Sequence, residues 1–255
     1  MRRPIILGIV NVTPDSFYDG GQHPDPIVHA RQLIADGADW LDVGGESTRP
    51  GATPVSVQEE CDRVLPVIEA LRGQVPISID TTKPSVARQA RRAGATILND
   101  VRGLRDPEMM AASGTFDHTI IMHSRGTPQT MQGLTDYGDL IAEVRDELLT
   151  RAAASACPQV WLDPGIGFAK TAAQSLSLLK HLGVLVAAGY PVLVGASRKS
   201  FIGRALDLPA AEDRLFGSLG AAAAAVARGA AALRVHDVRA TVDLVKLLTA
   251  VEDAQ

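Results

Sequence analysis

The chain has 255 residues, 46% of them hydrophobic and 21% charged, and a formal net charge of −4. That composition is globular, and a negative chain without a basic block or Lys/Arg-rich arm is poorly suited to non-specific nucleic-acid binding. No stretch approaches the roughly 20 apolar residues of a membrane span, and the short run after Arg2-Arg3 is interrupted by Asn11, unlike a secretion signal. A cytoplasmic protein is therefore expected, with no nucleic-acid or membrane partner. Cys61 and Cys157 have no Cys or His at metal-ligand spacing and read as two reduced thiols.

Ile5 to Val10 is a continuous apolar run, the pattern of a strand buried on both faces. At Asn11 it turns abruptly into a polar loop containing Pro14 and Gly20-Gly21. Ile27, Ala30, Leu33 and Ile34 at helical spacing predict a helix from Pro26 to Ala35, stopped by Gly37. Trp40 to Val43 is the second predicted strand. It opens into Gly44-Gly45-Glu46-Ser47-Thr48-Arg49-Pro50-Gly51, and a helix follows over about 57–71, with Ser56 and Glu59 at capping-box spacing. Val75 to Asp80 is the third strand and ends in a carboxylate; Pro84 to Ala93 is its helix, with Gly94 as the stop. Thr96 to Asp100 is the fourth, ending in an amide and a carboxylate.

A short helix around 107–112 leads to the fifth strand, His118 to His123. The polar loop from Ser124 to Asp136 is long enough to be a cover or binding loop. Leu140 to Ala154 is helical. Val160 to Asp163 is the sixth strand, followed by the loop 164–171 and a helix near 175–182. Tyr190 to Gly195 is the seventh strand, and Ala196 to Phe201 its loop. An Ala-rich helix over about 214–228, closed by Gly229, precedes the eighth strand, Ala232 to Asp237, and a last helix over about 238–251.

Strict alternation of strand and helix predicts a parallel sheet, and eight units in ~250 residues predict one α/β domain over 1–255, a (β/α)8 TIM barrel with its active site at the C-terminal strand ends. The competing arrangement, an open doubly wound sheet, lacks its G-x-G-x-x-G fingerprint after the first strand; Gly165-x-Gly167 is a fragment of it in the wrong place. The predicted rim holds Asn11, Asp80, Asn99, Asp100, His123, Asp163, Lys199, Arg234 and His236. Two carboxylates and an amide suit a guanidine-like heterocycle whose edge is rich in N–H donors. Asn11, Arg49, Arg234 and His236 suit a phosphate or pyrophosphate, and a divalent ion suits an oxygen-lined mouth. Pro50 and Phe168 offer apolar walls for an aromatic second substrate. His123 and His236 as a zinc pair, and Lys199 as a Schiff-base lysine activated by Arg198, are weaker alternatives from the residues alone.

These segments resemble the signatures of the dihydropteroate synthase family of pterin-binding enzymes. Gly8 to Phe17 with Asp19-Gly20-Gly21 looks like its first motif, and Asp42-Val43 through Arg49-Pro50-Gly51 its second. Asp80-Thr81, Asn99-Asp100, Met122-His123, Asp163 to Thr171, Ser197-Arg198-Lys199 and Arg234-Val235-His236 follow in family order over essentially the whole chain. The resemblance implies condensation of (7,8-dihydropterin-6-yl)methyl diphosphate with 4-aminobenzoate, giving 7,8-dihydropteroate and pyrophosphate by a cation-like substitution in folate synthesis. It places the pterin on Asp80, Asn99, Met122, Asp163, Phe168, Lys199 and Arg234. Asn11, Thr48, Arg234 and His236 would take the diphosphate, with Asn11 helping to hold Mg²⁺. Phe17, Thr48, Arg49, Pro50, Phe168 and Ser200 would form the aminobenzoate site, which sulfonamides also occupy in the family. Asp19, Asp80, Lys199, Arg234 and His236 are the implied catalytic set. The family also implies small-molecule partners and a homodimer built through late helices. Met1 stands only a few residues before the first strand, whereas many members carry a leading segment that plugs the barrel bottom, so the sealing of that face stays open. Two other readings keep the fold: a pterin-dependent methyltransferase domain, which needs no diphosphate site, and a non-catalytic pterin-binding paralogue.

Overall fold

The computed structural model describes residues 3–13, 25–49 and 51–254. Eight strands form one parallel sheet: β1 (Ile5–Asn11), β2 (Trp40–Gly44), β3 (Ile77–Asp80), β4 (Ile97–Asp100), β5 (His118–Met122), β6 (Val160–Asp163), β7 (Leu193–Val194) and β8 (Ala232–Val235). Their order is β6-β5-β4-β3-β2-β1-β8-β7. A parallel bridge between Leu162 and Val192, with Leu162 N donating to Pro191 O at 2.9 Å, joins the two ends and closes the barrel. Helices α1 (Pro26–Ala35), α2 (Val57–Leu71), α3 (Pro84–Ala93), α4 (Pro107–Ser113), α5 (Leu140–Ala154), α6 (Ala172–Lys180), α7 (Gly183–Val186), α8 (Ser200–Leu206), α9 (Leu215–Val226) and α10 (Val238–Glu252) run between the strands. Among the described residues no helix is long and apolar enough to cross a membrane.

Helix starts follow local chemistry. Asp25 accepts from Ile27 N at 2.7 Å, with Pro26 in the first turn. Ser56 caps α2 through Glu59 N at 3.1 Å, but Glu59 gives its carboxylate to Arg63, so the reciprocal half of the expected capping box is not made. The full box is on α6, between Thr171 and Gln174, and it begins that helix earlier than the apolar spacing predicts. Helix α8 lies where the sequence reads as loop, because no side chain caps it at Lys199. The seventh strand is shorter than predicted: Pro191 has no N–H to enter a ladder.

Side chains alternate across each strand and sort into two lanes. Ile6, Leu41, Val43, Ile79, Leu98, Ile121, Leu162 and Leu233 face the helices in the larger apolar core. Leu7, Trp40, Ile97, Ile120, Trp161, Leu193 and Ala232 form a second core in the barrel itself. At the strand N-termini its floor is aromatic. Trp40 and Trp161 meet edge to face with centroids 5.2 Å apart, His118 lies 5.1 Å from Trp40, and Trp161 Nε1 donates to His118 Nδ1 at 3.2 Å. Both tryptophans are buried, and they fill the bottom of the barrel from within the strands.

Candidate active site at the strand C-termini

Above that apolar floor the same inward lane turns polar. Asp42, Asp80, Asn99 and Asp163 are all buried, and Arg234 lies among them. Arg234 Nε donates to Asp42 Oδ2 at 2.6 Å and an Arg234 terminal nitrogen to Asp80 Oδ2 at 2.9 Å. Asn99 Nδ2 donates to the same Asp42 oxygen at 3.1 Å. One oxygen of Asp80, Oδ1, is buried and left without a protein partner. Burial, and next the neighbouring Asp42 charge, push the Asp80 carboxyl up to about 7 against the opposing pull of Arg234. Asp163 is also raised by burial, with Lys199 opposing. Its Oδ1 accepts from Gly165 N at 2.7 Å.

Lys199 closes the other side. Its Nζ donates to Ile166 O at 2.6 Å and stands 4.8 Å from the centre of the Phe168 ring. Burial pulls its pKa down to about 8, with the Asp163 carboxylate opposing. Arg198 does not serve as its cationic neighbour; it forms a two-point pair with Asp237 at 3.0 and 2.6 Å. The loop carrying Phe168 is tightly tied. Gly165 has φ +66°, and a Cβ there would stand 1.8 Å from His123 O, so no other residue fits. Lys170, itself buried, donates to Phe168 O at 2.9 Å and meets His123 Nδ1 at 2.9 Å.

His236 continues the lane beyond Arg234. Its backbone N–H donates to Ser197 Oγ at 3.2 Å, and the same hydroxyl meets His236 Nδ1 at 3.0 Å. Burial, then the charges of Arg234 and Arg198, hold the imidazole down at about 3, so it is neutral at pH 7. The loop after β2 bears Thr48, half-buried, and Arg49, exposed. Its root is held by Glu46, which accepts from Val55 N at 2.8 Å and from Lys83 Nζ at 2.6 Å. Lys83 also meets the fully buried Glu60 at 2.6 Å. A cavity of about 260 Å³ opens here, lined in part by Thr48, Lys83, Arg125, Met131 and Phe168.

The structure thus gathers Asp80, Asn99, Asp163, Lys199, Arg234 and Phe168 around one mouth. Met122 ends β5 in the inward lane, Asn11 ends β1, and Ser200 is the exposed first residue of α8. Two members of the predicted rim belong elsewhere. Both Asp100 oxygens cap a turn, accepting from Arg102 N and Leu104 N at 2.8 Å each. His123 points into a buried network, with Lys170 on one nitrogen and Glu147 Oε2 at 3.4 Å from the other, away from His236 and with no shared zinc geometry. Among the described residues no group of three His, Cys, Asp or Glu side chains could hold a metal. Phe17, Asp19 and Pro50 lie outside the described residues. Asp42, Ser197 and Lys170 were not among the sequence-derived candidates. Period-2 counting from Trp40 would have put Asp42 in the inward lane.

Known proteins share this architecture. The family described as "Pterin binding enzyme" matches residues 7–236. A dihydropteroate synthase of a Synechocystis strain is 48% identical, covering 98% of this chain and 90% of its own. A Xanthomonas albilineans dihydropteroate synthase solved with 4-aminobenzoic acid is 45% identical, with a TM-score of 0.92 over 99% of this chain and 94% of that one. The enzyme from the same organism in complex with 7,8-dihydropteroate is 42% identical, with a TM-score of 0.89 over 99% and 95% of the two chains.

Proposed function

The chain belongs to the pterin-binding enzyme family, among its dihydropteroate synthases, and from that premise we propose how its rim performs the family's alkyl transfer. The reaction joins (7,8-dihydropterin-6-yl)methyl diphosphate to 4-aminobenzoate, yielding 7,8-dihydropteroate and pyrophosphate. One observation carries the assignment of roles: a buried lane of acceptors, Asp80, Asn99 and Asp163, faced by Lys199 and Arg234. Carboxylates buried this deeply are costly unless N–H donors meet their lone pairs. A pterin edge brings several such donors and one carbonyl. The donors go to Asp80, Asn99 and Asp163, and the carbonyl to the ammonium of Lys199. Met122 and Phe168 are the apolar walls of the ring.

Arg234 leaves Asp80 when the pterin arrives and packs over the ring, turning its charge toward the diphosphate. His236, Asn11 and Thr48 complete that side. A diphosphate site argues against a methyltransferase domain, which needs none. Asn11 would be the protein's ligand to Mg²⁺, and a single amide oxygen fits an ion that keeps water and takes substrate phosphate oxygens. Bound there, Mg²⁺ supplies charge to stabilise the departing pyrophosphate. The methylene C–O bond breaks with its electron pair leaving on pyrophosphate. Electron density from the dihydropterin ring then supports a cation-like centre, which the buried carboxylates favour. The aminobenzoate nitrogen forms the new C–N bond, and its proton passes to the departing pyrophosphate. Thr48, Arg49, Ser200 and Phe168 position that amine; Phe17, Pro50 and Asp19, which the family resemblance adds, lie outside the described residues. No covalent enzyme intermediate is needed, so Lys199 binds rather than attacks.

Pyrophosphate release is expected to require Mg²⁺, the pterin diphosphate and 4-aminobenzoate together. Lys199→Ala and Asp80→Ala should each lower kcat/KM by about a hundredfold, since each removes a charged hydrogen-bond partner from a buried edge. Tight pterin binding without turnover in the wild type would instead identify a non-catalytic paralogue.

The homodimer is proposed on a different surface. Phe216 on α9 is 83% exposed, and Leu247 and Val251, one turn apart on α10, are each 64% exposed. Gly220 and Ala223 extend the Phe216 face with small side chains that permit close approach. Phe216→Glu should move the protein from dimer to monomer in sedimentation velocity; an unchanged mass would exclude this face. We also read residues 1–255 as one domain working in the cytoplasm, a compartment that suits two buried free thiols.

A further inference from the structure

Lys170 is only 3% exposed, and the reaction as derived gives it no part. An amino group buried this far is costly unless its N–H donors are met. Its Nζ donates to Phe168 O at 2.9 Å, meets His123 Nδ1 at 2.9 Å and lies 3.4 Å from His123 O. One side chain thus ties the loop after β6 to the end of β5. The loop is strained as well as tied. Ala169 holds φ +49°, a left-handed conformation that costs free energy in a residue with a Cβ and survives only where the surroundings enforce it. Here the carbonyls on either side of that strain are both held. Lys170 takes Phe168 O, and the Tyr137 hydroxyl donates to Ala169 O at 3.0 Å.

The same loop seats Lys199. Lys199 Nζ donates to Ile166 O at 2.6 Å and stands 4.8 Å from the centre of the Phe168 ring. A Cβ on Gly167 would lie 3.4 Å from Lys199 Cδ, so the backbone between those two contacts runs along the lysine stem. We propose that Lys170, assisted by Tyr137, is a positioning residue for Lys199. By holding the turn at Ala169 it keeps Ile166 O and the Phe168 ring where they aim the Lys199 ammonium at the pterin. Lys170 does not touch the ligand, because its Nζ is turned to the Phe168 carbonyl and to His123 and its side chain has almost no open surface. The inference rests on the pterin reading of the site and adds to it the residues that hold the reader in place.

A double-variant cycle on pterin diphosphate binding, read by calorimetry, tests it. Lys170→Met keeps most of the apolar stem and removes the N–H donors. With Lys199 present, the dissociation constant should rise about tenfold, the scale of losing buried hydrogen bonds that order the loop. In a Lys199→Ala background the same change should cost less than about threefold, because the residue that the loop aims is gone. Such coupling marks groups that act through one another, whereas a general loosening of the fold lowers affinity by one factor in both backgrounds. Equal factors in the two backgrounds overturn the proposal, and so does an unchanged constant in Lys170→Met.

Tyr137→Phe provides a second arm, should Lys170→Met fail to fold. It removes only the hydroxyl on Ala169 O and keeps the ring, whose centre is 3.8 Å from the Arg125 guanidinium carbon. The dissociation constant should rise about threefold with Lys199 present and stay unchanged in Lys199→Ala. No rise with Lys199 present, or the same rise in both backgrounds, would mean that the turn does not act through Lys199. A wild-type protein that fails to bind pterin diphosphate at all would instead remove the pterin reading itself, an outcome distinct from either of these.

Discussion

Replacing Arg234 with Met is expected to lower kcat/KM by about a thousandfold, the scale of losing a charge aimed at a leaving group. It should also destabilise the free protein by about 3 kcal/mol, because removing one partner of a buried ionic cluster leaves the others uncompensated. The two carboxylates left behind are Asp42, with no exposed surface, and Asp80, which is 8% exposed. The pH dependence separates this cause from lost packing. Asp80 already sits at about 7, raised by burial and by Asp42, and Arg234 is the charge holding it down. Without that guanidinium it rises further. Between the ordinary carboxylate range and that raised value the folded state binds more protons than the unfolded one, so stability falls as pH rises through the window. The deficit of Arg234→Met, measured by urea unfolding, should therefore be larger at pH 8.5 than at pH 5.5. An equal deficit at both would mean that the charges are not its source. Arg234→Lys should recover part of the stability but little activity, since a single ammonium cannot reach Asp42 and Asp80 with the spacing of a guanidinium fork.

The second large effect is expected at a residue remote from the pterin lane. Lys83→Met should cost about 2–4 kcal/mol, below the full value for a buried ion pair because the Lys83 side chain keeps 20% of its surface in solvent. It removes the cation from Glu60, which is fully buried, and from Glu46, whose carboxylate also holds Val55 N. Through Glu46 the loop that bears Thr48 and Arg49 loses one of its anchors. The KM for 4-aminobenzoate should then rise several-fold while pterin diphosphate binds as before. Pairing Lys83→Met with Glu60→Gln should recover much of the stability but not the KM, because the neutral amide removes the buried charge without restoring the tether. If both parameters return together, the loop does not depend on Glu46.

The two effects trace to different levels of information. Where a residue's role follows from its place along one strand, the sequence alone is enough. The unbroken apolar run of β1, the amide or carboxylate at the ends of β3, β4 and β6, and the Gly stops after α1 and α3 arise from short-range sterics and from burial on both faces of a parallel sheet. Period-2 alternation carries the same information into the barrel, so Asp80, Asn99, Asp163 and Arg234 could be placed on one rim before any contact was known.

Partnerships between distant residues are another matter. Asp100 and Asn99 are adjacent at a strand end, yet one caps a turn and the other faces the mouth, because alternation sends them to opposite sides of the sheet. His123 looks like a rim ligand in sequence but is drawn into a buried contact with Lys170, 47 residues away. Arg198 looks like an activator of Lys199 but is spent on Asp237. For His123 and Arg198 the deciding interaction is a hydrogen bond or ion pair between residues far apart in sequence, and its strength depends on burial that no local pattern reports. The fold, most of the rim and the family were determined by the sequence itself. Which polar groups remain open to a substrate was decided only by the tertiary structure, because a buried donor or acceptor is available for binding only after its neighbours have taken what they need.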